Sequence, residues 1–229
     1  MGTHGHLVCF GAAGCQYSIK QGSQSRGKGG IGTTSGLTAS WERLALARTA
    51  SSKADLYSLL VRELQALVGV ETDWLANLAN AAALLYDQLP GLNWAGFYLY
   101  KDGELVLGPF QGRPACVRIR PGQGVCGTAF SRRETVVVPD VHHFPGHIAC
   151  DPLSRSEIVV PIVVSAGEGG GESEEGKKDW VAGVLDLDSP EPGRFDAVDA
   201  RGLEEFVRRL IPHVDWQQAT GAFVSQPGH

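Results

Sequence analysis

Two runs rich in aromatic and branched residues, Trp94 to Tyr100 and Glu104 to Phe110, flank an Asp102-Gly103 pair. Asp-Gly supplies the positive φ angles of a tight primed turn, so this segment is constrained to a β-hairpin and the chain to a sheet with antiparallel pairing. Apolar residues before it recur at helical spacing. Leu56, Leu59, Leu60, Leu64 and Leu67 follow Ser52 and Asp55, a capping-box-like pair. Leu75, Leu78, Ala82, Leu85 and Leu89 form a second stripe, with Thr72 as candidate N-cap and Pro90 as the stop. After the hairpin, Ala115 to Arg120 alternates, setting Ala115, Val117 and Ile119 on an apolar face and Cys116, Arg118 and Arg120 on the other. A short helix over Thr128 to Arg133, strands over Thr135 to Val138, Glu157 to Val164 and Trp180 to Leu187, and a helix carrying Phe206, Val207 and Leu210 complete the order. Helices at both ends of a central, mainly antiparallel sheet make an α+β fold.

A chain of 229 residues with 43% hydrophobic and 20% charged residues can bury one substantial core, or one core plus a tail. The expected boundaries are 1–52 as an unfolded Gly/Ser-rich extension, 53–213 as one folded domain and 214–229 as a tail, with a flexible acidic insert at 165–179. The extension has no acidic residue before Glu42, which lends it some transit-peptide character, but its glycine content argues for a floppy segment in which Cys9 and Cys15 are incidental thiols. A net charge of -5 and scattered aromatics argue against a nucleic-acid partner. No apolar run approaches the roughly 20 residues of a membrane helix, and no secretory signal order is present, so a soluble cytoplasmic protein is expected.

Cys116, Cys126 and Cys150 are separated by nine and twenty-three residues, which lacks the CxxC pairs of a structural zinc site and favours redox or nucleophilic chemistry. His142, His143 and His147 with Cys150 fit no standard zinc spacing, so no metal is expected. Asp186 and Asp188 alternate with Leu185 and Leu187, which sends both carboxylates to one strand face, where each raises the other's pKa. Trp94 and Tyr98 share strand parity and can wall one pocket. Arg118 and Arg120 suit either a substrate carboxylate or a solvated face.

The runs GPFQGRPACVRI, GVCGTA, VPDVHHFPGHIACD, SEIVVPI and GVLDLDSP resemble the free methionine-(R)-sulfoxide reductases, enzymes built on a single GAF domain. The resemblance covers about Leu56 to Leu210. It implies reduction of the free amino acid, without a bound cofactor, by electrons that thioredoxin draws from NADPH through thioredoxin reductase. It also implies that Cys150 attacks the sulfoxide and that Cys116 resolves the sulfenic acid as a disulfide. Cys126 is then either an auxiliary resolving thiol or a buried structural one. By the same resemblance Glu157 and Asp188 lie near the sulfoxide, Asp186 lies toward the substrate ammonium, and Trp94 and Tyr98 contact the methyl group. The sulfurs of Cys150 and Cys116 are expected to meet at the mouth of a cavity walled by the three acids. A homodimer is left open. Two other classes compete: a non-catalytic GAF module that senses a small ligand, and a thiol peroxidase, which would leave the aromatic pair and the acids unexplained.

Overall fold

The computed structural model describes residues 5–9, 15–19, 50–148, 151–165 and 179–221. It divides into two units, 1–49 and 50–229. In the first, β1 (Gly5–Cys9) and β2 (Cys15–Ile19) pair antiparallel, with Cys9 opposite Cys15. This hairpin departs from the fully unfolded extension expected for 1–52; HLVC and CQYSI are β-prone islands in a glycine-rich background.

The second unit opens with α1 (Lys53–Val68). Ser52 Oγ accepts from the Asp55 backbone N–H at 3.2 Å and donates to the Asp55 carboxylate at 2.8 Å, so the expected cap forms. Its buried stripe is Tyr57, Leu60, Leu64 and Val68, and Leu67 falls outside it, 42% exposed. Helix α2 (Trp74–Gln88) is capped by Asp73 in place of the expected Thr72, because Asp73 Oδ1 sits 2.8 Å from the Ala76 N–H. Its buried face runs through Leu78, Ala82 and Leu85, while Leu75 is half exposed.

Six strands follow: β3 (Trp94–Lys101), β4 (Glu104–Gly112), β5 (Arg118–Ile119), β6 (Val136–Val138), β7 (Ser156–Val164) and β8 (Trp180–Ser189). They form one antiparallel sheet in the order β5-β4-β3-β8-β7-β6. Asp102 and Gly103 at the β3–β4 turn have φ of 52° and 87°, the left-handed conformations that their chemistry allows. Between β5 and β6 lies α3 (Gly124–Arg132), and after β8 come α4 (Ala197–Leu210) and α5 (Trp216–Thr220). Among the described residues no helix is long and apolar enough to cross a membrane.

Strand parity splits the core into two layers. Ala95, Phe97 and Leu99 of β3, Ile158 and Val160 of β7 and Leu185 and Leu187 of β8 pack with α1, α2 and α4. Trp94, Tyr98, Val159 and Val184 pack on the opposite face with α3. Both faces are buried, which is why β7 reads as a continuous apolar run.

Three expectations need correcting. The strand expected over Ala115 to Arg120 is regular only at Arg118–Ile119. Ala115 and Cys116 instead pack against the second apolar layer and Val117 turns outward, 64% exposed, so strict alternation fails ahead of β5, next to Pro114, which has no ladder donor. The short helix begins four residues earlier than expected, at Gly124, whose φ of +60° lets the chain turn directly into α3. The segment after 213 does not begin as a tail. Val214, Trp216 and Ala219 are buried, and the Trp216 indole donates to the Ile211 carbonyl at 2.9 Å. A five-residue helix is too short to display a period in sequence, so its anchor tryptophan is the only signal.

Candidate active site

Register alone assembles the site. Trp94 of β3 pairs with Asp188 of β8, and Asp188 pairs with Glu157 of β7. One row over, Gly96 pairs with Asp186, and Asp186 pairs with Val159. Residues directly opposite share a face, so Trp94, Tyr98, Glu157, Asp186 and Asp188 all project to the α3 side, while the leucines between them enter the helical layer. The sequence-derived parity of Asp186 with Asp188 and of Trp94 with Tyr98 holds, Glu157 joins them across the β7–β8 register, and all five line one cavity.

The aromatic wall is built around a glycine. A Cβ at Gly96 would lie 2.3 Å from the Phe110 Cβ and 2.7 Å from the Trp94 ring, so only glycine lets the indole fold over β3. Trp94 stacks between Phe110 and Tyr98, with centroid distances of 5.3 and 5.9 Å. Both polar tips hold the chain that carries Cys116: Trp94 Nε1 donates to the Arg113 carbonyl at 3.1 Å, and Tyr98 Oη donates to the Cys116 carbonyl at 3.0 Å. Burial raises the Tyr98 pKa and keeps its hydroxyl a donor. Cys116 is half-buried against this wall and disulfide-bonded. Cys150 lies outside the described residues.

Three carboxyls form the floor. Glu157 and Asp186 are each 6% exposed. Burial pushes the Glu157 pKa well up, and the charges of Asp186 and Asp188 push it further. Asp186 is raised by burial and then by Asp188. Asp188, which keeps some solvent contact, is raised to about 7 by burial, against the opposing hydrogen bond from Ser154. At neutral pH the floor is therefore rich in carboxylic acids that can donate protons. Among the described residues Asp186 Oδ1 is buried without a hydrogen-bond partner, an acceptor available to a ligand cation.

Cys126 sits in the first turn of α3, but helix-terminal activation loses to burial. Its thiol is fully enclosed, lies 3.9 Å from Glu157 Oε1, and is raised in pKa first by desolvation and then by Asp186 and Glu157. Of the two readings left open for Cys126, the buried one describes its environment. Cys126, Glu157 and Asp186 offer donor atoms within 4.8 Å of one another; a cation there would have to displace protons held tightly by all three.

The remaining candidates separate. Arg118 and Arg120 pair with Glu104 at 3.3 and 3.6 Å, are mostly exposed and do not line the cavity, which answers the choice in favour of a solvated face. His142 and His143 are exposed, whereas His147 lines the cavity with Nδ1 3.9 Å from Glu157 Oε2. Burial lowers the His147 pKa, so a neutral imidazole faces a protonated acid and the contact is dipolar, not an ion pair. Sequence reasoning missed Asn93, Asp151, Ser154 and Arg113. Asn93 Nδ2 donates to Asp151 at 3.2 Å and to Ser154 Oγ at 3.0 Å, Ser154 in turn bonds Asp188, and the Leu153 N–H donates to Asp151 at 2.9 Å. Only the position of Asp151 beside Cys150 could have hinted at this brace.

The raised carboxyls carry a pH signature. The folded chain holds these protons to higher pH than the unfolded chain, so their stabilising effect is complete at about pH 4 and is lost as pH rises through about 7 and beyond. Asp186→Asn removes one such group. Its melting temperature is expected to fall less between about pH 5 and about pH 8 than that of the parent, measured by calorimetry; an equal or steeper fall contradicts a proton held at Asp186.

The GAF domain family pattern matches residues 55–211. The free methionine-R-sulfoxide reductase of Escherichia coli (strain K12) is 50% identical over 159 residues, covering 69% of this chain and 88% of that protein. The enzyme of the same name from Saccharomyces cerevisiae is 42% identical over 166 residues, covering 69% of this chain and 86% of that one. The structure of free methionine-R-sulfoxide reductase from Neisseria meningitidis in complex with its substrate superposes with a TM-score of 0.64 at 44% identity, covering 74% of this chain and 95% of that one. With half of the residues shared over nearly the whole length of such a relative, and with the acids and aromatics gathered in one cavity, the chain belongs to the GAF-domain family of free methionine-R-sulfoxide reductases.

Proposed function

We propose that this protein reduces free methionine-(R)-sulfoxide to methionine through a cysteine sulfenic acid and a disulfide, and that thioredoxin returns the cysteines to thiols. The observation that carries the reading is the set of proton-holding carboxyls, Glu157 and Asp188, beside the Trp94–Tyr98 wall on which disulfide-bonded Cys116 rests. A sulfoxide sulfur becomes electrophilic when its oxygen is protonated or strongly hydrogen-bonded, and Glu157 and Asp188 are the acids for that task. The Cys150 thiol takes the oxygen, methionine leaves, and Cys150 becomes a sulfenic acid. Condensation with the Cys116 thiol forms the disulfide and releases water; a dithiol then exchanges with it and leaves as a disulfide. Trp94 and Tyr98 receive the S-methyl group, and Asp186 faces the ammonium. Electrons come from NADPH through thioredoxin reductase and thioredoxin, and no bound cofactor takes part. The setting is the cytoplasm, whose thiol pools keep such cysteines reduced.

The test is NADPH consumption coupled to thioredoxin and its reductase, with the two free methionine sulfoxide epimers and hydrogen peroxide offered separately. Turnover of the R epimer alone is expected. Peroxide turnover without sulfoxide turnover indicates a thiol peroxidase, and no turnover with tight binding of a small molecule indicates a sensory module.

A further inference from the structure

The cavity presents an electrostatic problem for a free amino acid. Four acidic side chains line it: Asp151, Glu157, Asp186 and Asp188. The raised carboxyls among them can donate to a substrate oxygen, but no acid supplies the positive charge that offsets the cost of taking an α-carboxylate out of water, so its entry calls for a cation. Among the described residues lining the cavity, the only arginine or lysine is Arg113; the one other basic side chain, that of His147, already faces Glu157.

Arg113 is placed for the task. Its carbonyl is pinned by the Trp94 indole, so the backbone is fixed to the aromatic wall that receives the reacting end of the substrate. Its side chain, in contrast, is 65% exposed, and its one ion pair among the described residues, with Asp151 Oδ1, is long at 3.8 Å. Asp151 is satisfied without it, by the Asn93 amide and the Leu153 N–H. A guanidinium has five donors in a planar fork that fits a carboxylate in two parallel bonds. Arg118 and Arg120, the arginines that sequence alone offered, are occupied by Glu104 outside the cavity.

We infer that Arg113 reads the substrate α-carboxylate and is thereby a specificity-determining residue that separates the free amino acid from methionine sulfoxide carrying an uncharged carbonyl group, as within a peptide. The inference rests on the reductase reading above. Binding through a group remote from the sulfoxide is shared by ground and transition states, so its removal raises KM and leaves kcat nearly unchanged.

The experiment compares Arg113→Gln and Arg113→Lys with the parent on two substrates, L-methionine-(R)-sulfoxide and its C-terminal amide. Arg113→Gln is expected to raise KM for the free acid about 10- to 100-fold, the range of a charge-assisted hydrogen-bonded pair, while kcat stays within about twofold. Arg113→Lys restores part of the affinity. On the amide, parent and Arg113→Gln have equal kcat/KM. An unchanged KM for the free acid overturns the inference, as does an equal loss on acid and amide, which marks Arg113 as a brace for Asp151 and its loop. Failure of the parent itself to turn over the free acid overturns the reductase reading instead. Because the side chain is largely exposed, the variants are expected to melt with the parent.

Discussion

Cys150→Ser abolishes turnover, whereas Cys116→Ser releases about one methionine per active site and then stalls, because forming the sulfenic acid needs only the attacking sulfur and regenerating it needs the second. The stall depends on Cys126 being unable to take over. Its thiol is buried, its pKa is raised by desolvation and by Asp186 and Glu157, and a protonated thiol is a poor nucleophile toward a sulfenic acid. Rapid-quench measurement of methionine per subunit, without thioredoxin and then with it, checks both variants. Multiple turnover by Cys116→Ser with thioredoxin would show that another thiol resolves; equal turnover by both variants would remove Cys150 from the attacking role. Cys126→Ser combined with Cys116→Ser separates these cases.

Glu157→Gln lowers kcat by about 10²- to 10⁴-fold, the usual contribution of a positioned general acid, with a much smaller change in KM. Glu157 is as buried as Asp186, and its pKa is pushed well up by burial first and by Asp186 and Asp188 second. An amide of the same shape can still hydrogen-bond the sulfoxide oxygen but cannot transfer a proton to it. Single-turnover kinetics from about pH 5.5 to about pH 8.5 measure the loss at the chemical step itself. A variant within about threefold of the parent at every pH would assign proton delivery elsewhere, with Asp188 the neighbouring carboxyl on the floor.

Strand parity made much of this site legible from the chain alone. Asp186 and Asp188 with Leu185 and Leu187, and Trp94 with Tyr98, obey a period of two, and the register joins them as that period requires. The Asp102-Gly103 turn and the Ser52 cap were equally legible, because each is decided by a few adjacent residues. Ala115 to Val117 were misread for the opposite reason. Their conformation is set by the Tyr98 hydroxyl on the Cys116 carbonyl and by the packing of half-buried Ala115 and Cys116 against the second apolar layer, contacts made by residues far away in sequence. Arg113 could not be told from Arg118 and Arg120 by type or spacing, since all three lie in one eight-residue stretch.

What the sequence determined by itself was the inventory and its local order: helices before and after an antiparallel sheet, two acids on one strand face, two aromatics on another, and three thiols without metal spacing. Only the tertiary structure decided their electrical state. It enclosed Cys126 under α3 as a raised, protonated thiol, stacked Glu157 and Asp188 as partners across two strands, and left Arg113 as the arginine at the cavity. The physical reason is that protonation and charge pairing depend on desolvation and on distances across the sheet, and neither is a property of neighbours in the chain.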